Sequence, residues 1–107
     1  MVFSQGDIVI VDFEPTKGHE PRKTRPALVV SKDYFNAATS MTIVCPITSQ
    51  DSGFPLHRPL PAGLAVSGYV ITEQARAIGL DARLARFVDR LSGDDLEGIL
   101  ETVRSFF

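Results

Sequence analysis

The residues best suited to chemistry in this sequence lie in a polar segment, residues 14–24, that ends against a continuous apolar run. The segment carries a histidine, His19, a carboxylate, Glu20, and several cations, and Arg25 follows it directly. Pro26 biases Arg25 toward extended backbone, so we expect Arg25 at the first residue of a buried strand. A charge fixed there points rigidly into the cleft that the preceding loop covers. Taken alone, such a charged loop is more often a solvated turn.

Length and composition predict one globular domain, residues 1–107, with 44% hydrophobic and 22% charged residues. We expect no membrane span, because no apolar run approaches the roughly 18 residues that a span needs. The N-terminus lacks the basic and apolar regions of a secretory signal, so we expect a cytoplasmic protein. Cys45 is the single cysteine. It therefore excludes an intrachain disulfide and a cysteine-rich zinc site, and we expect it buried in a strand and unreactive.

The charge balance argues against a protein that coats nucleic acid nonspecifically. The formal net charge is −2 and the isoelectric point is about 5.6. The cations are clustered, however, and most of the 11 basic residues are arginines. Arginine grips phosphate with a planar fork whereas lysine offers a point charge, so a local cationic cleft is compatible with the acidic balance.

Short β-branched runs separated by turn residues predict a small curled β-sheet or barrel closed by a helix. Pro46 indicates that the third strand is an edge strand or is bent. The predicted strands are residues 7–13, 26–31, 41–47, a weak 56–61, a strand pair or one bent strand at 68–79, and 84–88, with one helical turn within 32–40.

The C-terminal segment predicts an amphipathic helix. Ser92 followed by Asp95 resembles a capping box with the shorter acid. Four apolar residues then fall at helical spacing, and two terminal phenylalanines extend their stripe. The stripe comprises Leu96, Ile99, Leu100, Val103, Phe106 and Phe107.

Three segments, in order along nearly the whole chain, resemble the MazF/PemK (Kid) toxins of bacterial toxin–antitoxin pairs. Each segment alone is a weak signal, but three in register are specific. They are Val11-Asp12-Phe13-Glu14-Pro15 with Gly18-His19-Glu20 and Thr24-Arg25-Pro26-Ala27, then Val44-Cys45-Pro46-Ile47-Thr48-Ser49-Gln50, then Glu73-Gln74-Ala75-Arg76-Ala77-Ile78.

The resemblance implies a mainly β fold with a C-terminal helix, an SH3-like β-barrel of the CcdB/Kid/MazF type, assembled as a homodimer. It implies an endoribonuclease without metal or cofactor that cuts single-stranded RNA, chiefly mRNA, at a short motif and so inhibits translation and growth. The 2′-hydroxyl attacks, leaving 2′,3′-cyclic phosphate and 5′-hydroxyl ends. The implied partner is a cognate antitoxin whose acidic, disordered tail blocks the cleft. Operator DNA is contacted only through the antitoxin complex.

The resemblance also assigns the site residues. Arg25 stabilises the charge of the transition state, since a guanidinium is a poor general base, and Thr48 holds a phosphate oxygen. His19 is the candidate acid or base, and Glu20 either accepts a proton or orients Arg25. The alternative for Arg25 is a structural salt bridge with Glu20 or Glu73. Predicted RNA contacts are Lys17, Arg22, Lys23, Ser49, Gln50, Phe54, Glu73, Gln74 and Arg76, although Phe54 is equally compatible with a side chain folded back onto the barrel.

One departure from the family pattern affects these assignments. PemK-type members use a histidine of the first loop with an arginine and an aspartate near the third motif. Here the aspartate becomes Glu73, but the arginine falls on Ile71. This favours the arrangement of Arg25 with Thr48. Arg76 replaces the lost cation only if its strand bends toward the cleft, and His57 reads as a surface histidine.

Two other functions fit the same fold. A CcdB-like inhibitor of DNA gyrase needs no Arg25–Thr48 pair, and its contacts lie on the terminal helix. A catalytically inactive paralogue that acts as a binding module is compatible with the loss of an arginine at Ile71.

Overall fold

The structure is a computed structural model that describes residues 2–13, 24–81 and 85–107. Its regular elements are mainly strands, and the longer of its two helices closes the chain, as predicted. The elements are β1 (Asp7–Asp12), β2 (Thr24–Val29), α1 (Asp33–Thr39), β3 (Thr42–Thr48), β4 (His57–Pro59), β5 (Tyr69–Ile71), a 3₁₀ turn (Thr72–Gln74), β6 (Arg76–Ile78), β7 (Arg86–Arg90) and α2 (Gly93–Arg104).

All the strand pairs are antiparallel and follow the order β4-β5-β3-β2-β1-β7, with β6 also paired to β3. The segment predicted as a strand pair or one bent strand is two short strands that share β3 as their neighbour. In the described residues the path is open from β4 to β7. Closure into an SH3-like barrel therefore stays a prediction.

Residues 8–11 of β1 and 27–29 of β2 are continuously apolar because both faces of the sheet are covered there. Successive side chains of a strand point to opposite faces. Odd-numbered residues of β1 and β2 join one buried cluster, which includes Val9, Val11, Ala27, Val29 and Val44. Even-numbered residues join the other, which packs against α2 and includes Ile8, Leu28, Cys45, Ile99 and Leu100.

Helix α2 confirms the predicted apolar stripe but not its two ends. Ser92 is the N-cap residue, yet its side chain makes no capping hydrogen bond. Gly93 follows with φ +65°, which departs from the helical backbone that a capping box requires. At the other end the helix stops at Arg104, so Phe106 and Phe107 do not continue the stripe. They are 40% and 102% exposed.

Pro46 does not mark an edge strand, because β3 lies inside the sheet. Val30 N–H donates to Ile43 O at 2.9 Å, so the odd-numbered residues of β3 carry the hydrogen bonds to β2. The nitrogen of Pro46 faces the opposite side. There the partner of β3 changes from β6, at Val44, to β5, at Ile47. The missing N–H thus falls where β3 passes from one neighbour to the next.

Cys45 is fully buried on the α2 side of β3, as predicted. Burial, and secondarily the negative charge of Glu73, raises the pKa of its thiol to about 12. Its Sγ lies 4.0 Å from the carbonyl oxygen of Thr72. Because the thiolate is the reactive form, the raised pKa lowers the reactivity of Cys45, and burial also keeps reagents away from its sulfur.

Labelling with a thiol reagent tests that burial. We expect native protein to react at least about 100-fold more slowly than protein unfolded in urea, because reaction requires opening of the sheet. Cys45 is the only cysteine, so the signal needs no deconvolution. Equal rates in the two states would contradict the buried placement.

Candidate functional site

The register of the central strands, extended beyond its last pair, aligns Arg25 with Thr48. Ala27 of β2 pairs with Pro46 of β3. Continued by two residues toward the end of β3, the same register sets Arg25 opposite Thr48. Opposed residues of an antiparallel pair project to the same face with their Cβ atoms about 5 Å apart. The paired ladder itself ends at Ala27 and Pro46, so the extended register indicates that Arg25 and Thr48 lie at neighbouring strand ends just beyond it.

Arg25 lies in the strand but is not buried. Strand β2 begins at Thr24, two residues earlier than predicted, so Arg25 is its second residue. Its backbone pairs with Val11 of β1, which fixes its position in the sheet, while its side chain is exposed. Glu73, one of the two carboxylates considered as a structural partner for Arg25, bonds His57 instead. Arg25 is therefore a cation whose backbone is fixed in the sheet and whose side chain lies at the surface.

Thr48 is the last residue of β3 and is half-buried. Its hydroxyl oxygen accepts a hydrogen bond from the backbone N–H of Gln50 at 3.2 Å. This turn bond uses a lone pair and leaves the hydroxyl hydrogen free to donate. Thr48 thus stabilises its turn and still offers a hydrogen-bond donor. Ser49 and Gln50 follow it and are exposed.

Tyr69 is the neighbour of Thr48 on the side away from β2, and the sequence did not predict it. Tyr69 of β5 pairs with Thr48. A hydrogen bond with the carboxylate of Asp51 raises the pKa of Tyr69, because it stabilises the protonated phenol. Asp51 also accepts the N–H of Gly53 at 3.0 Å. Along neighbouring strands the sheet thus carries a guanidinium on Arg25, a hydroxyl on Thr48 and a phenol on Tyr69.

The Asp51→Asn variant tests the Tyr69 contact. We expect the pKa of Tyr69 to fall toward its ordinary value, since a neutral amide stabilises the phenol less than a carboxylate does. Tyrosinate absorbance against pH measures it, and the only other tyrosine, Tyr34, is 73% exposed and serves as an internal reference. An unchanged titration of both tyrosines would exclude the contact.

A second polar group surrounds His57, which the sequence analysis treated as an ordinary surface histidine. Its Nε2 lies 2.9 Å from Oε2 of Glu73, and its Nδ1 lies 3.0 Å from Oγ of Ser52. The rings of His57 and Phe54 meet edge to face with centroids 5.2 Å apart. Glu73 was predicted as an RNA contact; its partner was not, because His57 lies 16 residues away in sequence.

Ile71 occupies the position at which PemK-type members have an arginine, and Arg76 is the nearest arginine in the third motif. Ile71 is only 6% exposed, so that position is filled by an apolar side chain. Arg76 is exposed on β6, and its guanidinium lies 5.3 Å from the Phe13 ring centroid, with Nη2 at 3.4 Å from Phe13 O. Arg76 is therefore placed against Phe13. Glu73 and Gln74, in the intervening 3₁₀ turn, are both exposed.

Several predicted site residues fall in segments that the structure does not describe. They are Lys17, His19, Glu20, Arg22 and Lys23. Among the residues that it does describe, no three histidine, cysteine or carboxylate side chains converge as metal ligands. In those same residues no helix is long and apolar enough to cross a membrane.

Comparison with known proteins identifies the family. The model of the PemK-like, MazF-like toxin of type II toxin–antitoxin systems matches residues 4–107. The chain belongs to the PemK/MazF toxin family. The resemblance carried by the three motifs is thereby confirmed.

Two Escherichia coli members of the PemK/MazF family illustrate the similarity. The endoribonuclease toxin ChpB is 38% identical over 104 residues, which cover 92% of this chain and 88% of ChpB. The endoribonuclease toxin MazF is 35% identical over 92 residues, 86% of this chain and 82% of MazF. Among solved structures, MazE–MazF from Deinococcus radiodurans matches with a TM-score of 0.87 and 34% identity over 99% of this chain and 96% of the other.

Proposed function

We propose that this PemK/MazF family member is the toxin of a type II toxin–antitoxin system and acts as a metal-independent, sequence-specific endoribonuclease on single-stranded RNA, chiefly mRNA. The observation that supports the proposal is the register of β2 and β3, which sets the exposed Arg25 opposite Thr48 when it is extended two residues beyond Ala27 and Pro46. An exposed guanidinium near a hydroxyl donor fits a phosphate that gains charge during reaction. Relatives named as endoribonucleases support the same activity.

The proposed reaction needs no group beyond the chain and its substrate. The 2′-oxygen of RNA attacks the adjacent phosphorus, the bond from phosphorus to the 5′-oxygen breaks, and a 2′,3′-cyclic phosphate forms. Arg25 donates two hydrogen bonds to the phosphate oxygens, which stabilises their growing charge, and Thr48 donates a third. Net, the 2′-hydroxyl proton is transferred to the 5′-oxygen. We assign its removal and delivery to His19 and Glu20.

Recognition of the RNA is proposed to involve loops on both sides of the Arg25–Thr48 pair. Single-stranded bases are read when they splay out, stack on aromatic side chains and expose their edges. Phe54 contacts the His57 ring of β4 but is still 46% exposed, so part of its ring surface remains available for stacking. The remaining proposed RNA contacts are Lys17, Arg22, Lys23, Ser49, Gln50, Glu73, Gln74 and Arg76.

We further propose that the protein is a single toxin domain, residues 1–107, whose curved sheet is of the SH3-like barrel type and which acts as a homodimer in the cytoplasm. A cognate antitoxin with an acidic, disordered tail is the proposed inhibitor, and operator DNA is bound only through that complex. The MazE–MazF complexes from Deinococcus radiodurans support an antitoxin partner.

The apolar stripe of α2 argues against the gyrase-inhibitor alternative. Ile99 and Leu100 are 2% and 5% exposed and pack against the sheet, so this face of the helix is not offered to another protein. The inactive-paralogue alternative depends on Ile71, and activity decides it.

The deciding experiment incubates the purified protein with defined single-stranded RNA in the presence of EDTA and analyses the fragment ends. We expect discrete fragments that end in 2′,3′-cyclic phosphate. Thr48→Val, which keeps the shape of the side chain but removes the donor, is expected to cut more slowly. A folded protein that cuts nothing in a diverse RNA pool would overturn the proposed activity and favour a binding protein.

A further inference from the structure

We propose that Phe54, His57 and Glu73 form a base-binding subsite next to the Arg25–Thr48 pair, and that this subsite selects guanine. The inference rests on the proposed function, since it assigns part of the sequence specificity of RNA binding. It starts from the hydrogen-bonded chain Ser52–His57–Glu73, which joins the loop after β3, the first residue of β4 and the 3₁₀ turn.

The bonding of His57 determines what the subsite can offer a ligand. An ionised carboxylate only accepts, so Nε2 of His57 carries the proton that is donated to Oε2 of Glu73. In the neutral ring Nδ1 is then an acceptor and receives the Ser52 hydroxyl proton. The oxygen of Ser52 also accepts the N–H of Phe54 at 3.3 Å. The His57 N–H and the Ser52 hydroxyl therefore both donate to other members of this hydrogen-bonded group, and neither is left to donate to a ligand.

The exposed part of the chain is consequently an acceptor. The side chain of Glu73 is 33% exposed whereas that of His57 is 16% exposed. The bond to His57 uses one lone pair of Oε2 and leaves the other lone pair of Oε2, together with Oε1, able to accept. His57 fixes the direction of the carboxylate, so a ligand meets an oriented acceptor rather than a mobile side chain. Such pre-orientation reduces the entropy lost on binding.

Phe54 supplies a stacking surface next to His57, the residue that orients this carboxylate. Its ring meets that of His57 at an interplanar angle of 89°, a contact that occupies at most one of its faces. The side chain is 46% exposed, so the other face is open to a base. Stacking on an aromatic ring binds any base, because every base has a π-face. Discrimination must therefore come from the edge that faces Glu73.

The sheet register places this subsite at a neighbouring nucleotide rather than at the reacting phosphate. Thr48 pairs with Tyr69, and His57 pairs with Ile71, two residues further along β5. Two strand spacings across and two residues along correspond to about 12 Å between the Thr48 and His57 backbones. A short single strand spans that distance, so one RNA chain can contact both places.

Guanine is the base that fits an oriented acceptor. Its Watson–Crick edge presents two adjacent donors, the ring N–H and the exocyclic amino group, and a carboxylate accepts both. Adenine and cytosine present one amino group beside a ring acceptor, and uracil places its single N–H between two carbonyl oxygens. Those acceptors repel Glu73, so their bases bind more weakly at this position.

Binding of uncleavable oligonucleotides tests the subsite separately from cleavage. We use short single-stranded 2′-O-methyl RNA that carries guanine, inosine, adenine or uracil at one position in turn. Inosine lacks only the amino group. At one position we expect the oligonucleotide with guanine to bind more tightly than the one with inosine, by about 5-fold or more. We expect a still larger difference in affinity between guanine and adenine or uracil at that position. In Glu73→Gln that preference is expected to disappear, while Glu97→Gln, a matched carboxylate change on α2, retains it.

Two further variants separate recognition from a structural role. Phe54→Ala is expected to weaken binding about tenfold for every base, and Phe54→Tyr to restore it. His57→Gln is expected to lower the preference for guanine, because Glu73 loses its orientation. Equal loss for all bases in Glu73→Gln, or no guanine preference in the wild type, would overturn the subsite. Preference without any RNA cleavage would instead overturn the proposed enzymatic function and leave the subsite intact.

Discussion

Replacement of Arg25 by alanine is expected to lower the rate constant of RNA cleavage by about 10²- to 10³-fold while leaving the fold intact. The rate falls because the guanidinium is the strongest donor that the described site can aim at a phosphate. The fold persists because Arg25 is exposed and its neighbours in the ladder are held by backbone pairing. Single-turnover cleavage of an end-labelled oligonucleotide in EDTA measures the rate, and a thermal melt measures stability.

Two control variants make this result specific to the position of the charge. Arg86→Ala removes an exposed arginine from β7, at the end of the sheet path opposite to β4, and is expected to cut RNA within about threefold of the wild-type rate. Arg25→Lys keeps the charge but loses the fork, so its rate is expected to lie between those of wild type and Arg25→Ala. Near-normal cleavage by Arg25→Ala would remove Arg25 from the mechanism.

The parts of the fold that the sequence predicted are those with a strong local pattern. The β-branched run of β1 and the helical spacing of Ile99 and Leu100 are properties of consecutive residues. Errors arose where the outcome depends on distant partners. Pro46, considered alone, predicts an edge strand or a bend; the edge alternative is wrong, because the break between β5 and β6 allows Pro46 inside the sheet. The capping box failed because Gly93 changes the backbone direction after Ser92.

The candidate site divides in the same way. Arg25 and Thr48 were each predicted from local context and motif, and their proximity follows from extending the register of β2 and β3 beyond Ala27 and Pro46. His57 and Tyr69 were missed because their partners, Glu73 and Asp51, are 16 and 18 residues away and no spacing rule links them. A histidine at the start of a weak strand carries no signal of its own. Its significance appears only when β4 and β5 are paired.

Gly68 packs against the backbone of Thr48, so its replacement is expected to affect both the stability of the fold and the candidate site. Gly68 has φ +131°, and a Cβ on it would lie 2.2 Å from the carbonyl oxygen of Thr48. Neither the backbone torsion nor the contact tolerates a side chain. We expect Gly68→Ala to lower the free energy of unfolding by about 3 kcal/mol or more. For a domain of this size that corresponds to a melting temperature lower by about 12 °C or more.

Gly63→Ala separates the two causes, because Gly63 has φ +93° but its added Cβ would meet nothing within 4 Å. It is expected to cost only the torsional strain, about 1–2 kcal/mol. Cleavage distinguishes the variants further. Gly68→Ala must displace the Thr48 carbonyl, so the donor beside Arg25 moves and the rate falls even well below the melting temperature. Gly63→Ala is expected to cut at the wild-type rate when folded. Equal melting temperatures for the two variants would show that the close approach of Gly68 to β3 does not limit stability.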